Sequence, residues 1–187
     1  MTQTASQPLI QRRAAVVAVA VVAVAGAAAS IALPSWASVD KAVLRSSADV
    51  LRWLDNVAAS PGVRSTEGWP LAQVLEHLAQ SVAFSVDGFP QPKSELFQRT
   101  VGTAAFGVFK WRGAMSHGLT EPIPGAPTLK LLTVAEGVQT LKAALLRFDS
   151  HTGALKPHFA YGALSKPDYA LAHALHVQNH AERIVLA

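Results

Sequence analysis

The chain has 187 residues, half of them apolar and 15% charged, so one folded domain is expected and a disordered or highly charged chain is excluded. Its net charge is +4 and its pI is near 9.7, yet no Lys/Arg run with interleaved aromatics appears, so no nucleic-acid partner is expected. There is no cysteine, which excludes disulfides and thiolate ligands.

Two of the 16 basic side chains, Arg12 and Arg13, and none of the 12 acidic ones lie in residues 1–37. The uncharged stretch AAVVAVAVVAVAGAAASIAL, residues 14–33, follows the paired arginines, and Ser35-Trp36-Ala37 comes next. Basic region, apolar region and small-x-small site are the parts of an export signal, which places cleavage after Ala37. The arginine pair and the mild apolar region resemble a twin-arginine signal, although Ala14-Ala15-Val16 replaces the residues usual after the pair. An uncleaved anchor is the alternative, because twenty apolar residues can span a bilayer. Both readings make residues 38–187 the folded domain and put it outside the cytoplasm, in the periplasm or held at the inner membrane.

Beyond the signal the apolar pattern is helical. The first helix is predicted over Val39–Ala59, with Val43, Leu44, Val50, Leu51 and Leu54 as its apolar positions and Ser60-Pro61-Gly62 as its stop. The second runs from about Trp69 to Val86 on the stripe Leu71, Val74, Leu75, Leu78 and Val82, ending at Asp87-Gly88-Phe89-Pro90. A long connection, 91–130, is expected to be helical over roughly 95–115, with Phe97, Phe106, Phe109 and Trp111 available to pack. Thr133 and Glu136 fit a capping box opening the third main helix, whose apolar face is Val134, Val138, Leu141, Leu145 and Phe148. The fourth opens at Ser165, with Asp168 three residues on, and is expected to run to the chain end. No stretch alternates for long enough to suggest a sheet. Short loops within each pair and a long link between the pairs describe an all-α fold, a four-helix bundle with one crossover between helices 2 and 3.

The fourth helix carries HALHVQNHAER, from His173 to Arg183. His176 and His180, four apart, share one face, and His173 and Tyr169 fall on the same stripe. Two imidazoles make a weak metal site and a third is wanted. His77, beside the apolar stripe of the second helix, is the best candidate, since bundles build metal sites from inward residues of facing helices. The competing reading is a solvated HxxxH and a packed core histidine. His117, His151 and His158 lie in loops or near helix ends and read as surface residues, although His158, in KPHFAYG, is placed to approach from the loop before the fourth helix. HVQNH lacks the Glu of a zinc protease, and neither Glu76 nor Glu182 is placed as a general base.

The order Trp69-Pro-Leu-Ala-Gln-Val-Leu-Glu-His77, long crossover, His176-Val-Gln-Asn-His180 resembles the DinB/YfiT-like metalloenzyme superfamily. The stretches PKSELFQRTVG, EPIPGAP and HFAYGALS look like one branch of it. The resemblance implies a divalent metal, with Zn, Ni or Fe as candidates, held by His77, His176 and His180. His173, His158 and Tyr169 are left as pocket or supporting residues. Three neutral ligands leave an open position, where a water's pKa falls to roughly 7 or a thiol binds as thiolate. A small-molecule transfer or isomerisation with a thiol partner is the activity implied; a non-catalytic module that binds metal or ligand is the alternative. The other partners expected are the export machinery and, through residues 14–33, the membrane; a homodimer is allowed.

Overall fold

The computed structural model of the chain describes residues 43–131 and 133–186. The expected export segment, with Arg12, Arg13, residues 14–33 and Ala37, lies outside the described residues. Among the described residues no helix is long and apolar enough to cross a membrane. They are mostly helical, with six α-helices and one two-residue strand pair.

Helix α1 (Ser47–Ala59) starts later than its apolar pattern suggested. Ser46 is the reason: its backbone is extended, and its hydroxyl accepts from the Asp49 N–H at 3.2 Å. That cap ends the helix on the N-terminal side. Residues 43–46 are therefore not helical, and Val43 is 67% exposed. Leu44 is still buried, and its N–H donates to Gln178 Oε1 at 3.0 Å. Strand β1 (Arg64–Ser65) follows, then α2 (Leu71–Asp87), whose five predicted core positions are all buried.

The crossover carries α3 (Glu95–Phe97), a π-helical turn (Gln98–Gly102) and α4 (Thr103–Arg112), which stops at left-handed Gly113. Phe106 is buried and stacks on Tyr161, and Phe97 and Phe109 are half-buried. Trp111, expected to pack, is 84% exposed near the end of α4. Gly102 has a definite packing role. A Cβ there would stand 1.8 Å from the Ala160 carbonyl oxygen, so only glycine lets the π turn rest on the loop before the last helix.

Helix α5 (Val134–Ser150) begins with the expected capping box, both reciprocal hydrogen bonds being present. It packs chiefly on α2 and also on α1. Gly137 permits the α2 approach, because a Cβ there would lie 2.8 Å from Leu75 Cβ. Helix α6 (Lys166–Ala181) is capped by Ser165 and packs on both α1 and α2. It does not reach the chain end. A turn at Glu182–Arg183 leads into β2 (Ile184–Val185), antiparallel to β1 with Arg64 opposite Val185. Two residues are too few for alternation to show in a sequence. Of the connections within the pairs, 60–70 carries β1 and 151–165 a tight turn at His158–Gly162.

Leu54, Leu75, Leu78, Leu141, Leu145, Phe148 and Leu175 are fully buried in the core. Each contributes about 1.5–3 kcal/mol relative to an exposed side chain. The core sets α2 against α6, and those two helices carry the histidines.

Candidate metal centre

His77 lies in the middle of α2 and is 2% exposed. Its neighbours on that face, Val74, Leu78 and Ser81, are buried as well, so the imidazole is held inside the fold. On α6, His180 is 2% exposed and His176 is half-buried. The helical spacing of four residues stacks this pair one turn apart. One ligand atom from each of the three residues lies within 4.8 Å of the other two, so the group could hold a metal ion.

The distances suit that role. His77 Nε2 and His176 Nε2 are 3.2 Å apart. Two nitrogens bound tetrahedrally at about 2.0–2.1 Å stand about 3.3 Å from each other. His176 Nδ1 is 3.3 Å from Ser81 Oγ, so with Nε2 free for a metal, Nδ1–H donates to the hydroxyl and fixes the ring. Trp69 packs against His77 with ring centres 5.2 Å apart. His180 Nε2 is buried and has no hydrogen-bond partner among the described residues. His77 Nδ1 is likewise buried without a partner, so this ring is oriented by packing.

Burial keeps these imidazoles neutral. It pushes His77 down to about 4 and His180 down to about 3, with repulsion from neighbouring histidines adding to the effect. His176 is driven well below the ordinary histidine value for the same two reasons. Free lone pairs at neutral pH are what metal binding requires.

The structure corrects the reading of two other histidines. His117 is not a surface residue. Its ring centre lies 4.6 Å from that of His176, 5.1 Å from His180 and 6.5 Å from His77. The turn after α4 carries it there. His158 is 8% exposed, because its ring stacks on Tyr161 at 4.1 Å and meets Phe89 edge-on at 4.8 Å. Its Nδ1 accepts from the Ala160 and Tyr161 N–H groups at 3.1 and 3.2 Å, so the proton sits on Nε2. His151 ends α5 and is half-buried.

His173 is 3% exposed and stacks on Tyr169 beside Phe148, so it is a packed neighbour of the cluster rather than one of the three. Tyr169 is fully buried, and its hydroxyl donates to the Lys156 carbonyl at 2.6 Å. It does not line the cavity described next.

A cavity of about 260 Å³ adjoins the cluster. His77, His117, His158, His173 and His176 line one side, Ile123 and Phe159 supply apolar wall, and Lys93 and Glu121 bring opposite charges. It lies just under the roughly 300–1,000 Å³ of drug-sized ligand sites. Sequence reasoning missed Lys93, His117 and Glu121, since no periodicity or motif distinguishes residues of an irregular connection. Glu76 faces elsewhere: its carboxylate accepts from the Lys130 and Leu131 N–H groups at 2.6 and 2.8 Å.

Fold and site together define a helical domain with a largely buried three-histidine group that could hold a metal ion. A family model described as "Protein of unknown function (DUF1569)" matches residues 44–186, and the chain belongs to that family. No curated protein and no solved structure matches it.

Proposed function

We propose that this chain is a divalent-metal enzyme of the DinB/YfiT type, a four-helix bundle with one long crossover, which transfers or isomerises a small molecule with a thiol as co-substrate. One observation carries the metal: His77 of α2 and His176 and His180 of α6 bring ligand atoms within 4.8 Å of one another beside a cavity of about 260 Å³. The buried Nε2 of His180, left without a partner, supports the fit. The resemblance to the DinB/YfiT group supplies the reaction class.

When bound, a divalent ion supplies Lewis acidity, lowering the pKa of a coordinated water or thiol. The chain's own residues do the rest. Ser81 holds the His176 ring through Nδ1, and Trp69 packs against His77. In the cavity, Lys93 and Glu121 put opposite charges on the wall, suited to a substrate with an anionic end and a donor group. His158, with its proton on Nε2, donates to a substrate oxygen. Imidazole nitrogens suit Zn, Ni and Fe alike. Residues 1–37 serve as the export address, which puts the domain outside the cytoplasm.

The test is metal analysis of residues 38–187, purified without a histidine tag, beside His77→Ala. About one divalent ion per chain in the parent and little in the variant is expected. Equal content in both removes His77 from the site. Metal bound in full, with no turnover of thiol-linked substrates, leaves the non-catalytic binding module.

A further inference from the structure

His117 stands among the three histidines for no evident packing reason. It reaches the cluster from the irregular segment between α4 and α5, not from a main helix. Its Nδ1 lies 2.8 Å from the Gly118 carbonyl oxygen. A carbonyl only accepts, so Nδ1 carries the hydrogen and Nε2 carries the lone pair. That Nε2 is buried and has no hydrogen-bond partner among the described residues. A ring N–H held by a backbone carbonyl, with the other nitrogen bare, is the usual state of a histidine poised for a metal.

The ring positions agree. The pairs among His77, His176 and His180 have centres 5.0, 5.3 and 5.2 Å apart. His117 adds 4.6 and 5.1 Å to His176 and His180, and 6.5 Å to His77. Four imidazoles bound tetrahedrally, each through one nitrogen at about 2.0–2.1 Å, place their centres about 5 Å apart. Five of the six separations match that figure. The sixth, to His77, leaves His117 as the outer member, outside the three-histidine group whose ligand atoms lie within 4.8 Å of one another, so it must swing inward to bind.

We propose that His117 is a fourth donor to the metal, contributed by the crossover. This rests on the three-histidine reading above and adds to it. His117 also lines the cavity, and it sits on a connection rather than on a packed helix, so it is the donor that a ligand in the cavity displaces. The crossover then serves as both wall and closing ligand of the site.

The experiment loads zinc into metal-free chains of the parent, His117→Ala and His117→Gln, and uses X-ray absorption to count imidazole ligands. The parent is expected to show four and the variants three. Zinc affinity, measured against a competing chelator, should fall in both variants by at least the roughly 10–100-fold typical of losing an outer-shell partner. Cobalt in place of zinc gives a second readout, a changed visible spectrum in each variant. The glutamine variant keeps size and polarity in case alanine perturbs the fold. Three imidazoles in the parent, with affinity unchanged in the variants, overturns the fourth donor and leaves the three-histidine centre intact. A parent that takes up no zinc and no cobalt overturns both readings.

Discussion

Ser81 shows how much a single side chain is asked to do. It is 5% exposed, one turn beyond His77 on α2, and its hydroxyl is the partner of His176 Nδ1. Removing it leaves the His176 ring free to turn and a buried N–H unsatisfied. Ser81→Ala is therefore expected to weaken metal binding by about 10–100-fold while the helical signal stays unchanged, as chelator competition and circular dichroism would show. An affinity equal to the parent's would mean that the hydroxyl does not orient the ring. Gly102 is sensitive for a different reason. Gly102→Ala drives a methyl into the Ala160 carbonyl and is expected to cost about 1–3 kcal/mol, read from a denaturant midpoint. The loop it disturbs holds His158, so ligand binding in the cavity should suffer with it. The histidines themselves were only partly legible. His77 showed in the sequence because it lies beside an apolar stripe, and His176 and His180 because a spacing of four puts them on one helical face. His117 did not, and His158 showed only as a residue placed to approach the site, because a loop has no period from which the direction of a side chain can be read.

The helices divide along the same line. Those with long apolar stripes were readable: α2 and α5 run nearly where the pattern put them, and Thr133 with Glu136 marked the start of α5. Thr133→Ala should cost about 0.5–2 kcal/mol, seen as a lower melting temperature with the site chemistry unchanged. The start of α1 was not readable from apolar residues, since Val39, Val43 and Leu44 continue the pattern past the point where Ser46 ends the helix. There a local hydrogen bond outweighs the periodicity. The crossover hid its shape more fully. Its helix contains a π turn, in which the Thr103 N–H and hydroxyl both reach the Gln98 carbonyl, and no residue type announces such a turn.

At the scale of the whole molecule, the fold buries four basic groups, His77, His158, His173 and His180. Burial holds His77 down to about 4, and His158, His173 and His180 down to about 3. An unfolded chain takes up protons on these rings as the pH falls through the ordinary histidine value of about 6.5, and the folded chain does not until far lower. Between those values the unfolded state binds more protons, so stability is fully present above about 6.5 and falls as the pH drops toward 3. The metal-free domain should therefore melt at steadily lower temperature from pH 7 to pH 4.5; a flat profile would show that the rings are not shielded as described. Added metal works in the opposite sense, raising stability by about 2.7 kcal/mol at a concentration one hundred times its dissociation constant. The ladder between residues 64–65 and 184–185 bears on the same chemistry. It begins only a few positions after His180, and Thr66 grips the Arg183 carbonyl from the other side. A clamp so near His180 keeps the end of α6 from fraying. Replacing Ile184 and Val185 by glycine should then weaken any metal binding by His180 well before it melts the core, as chelator competition beside a thermal melt would show.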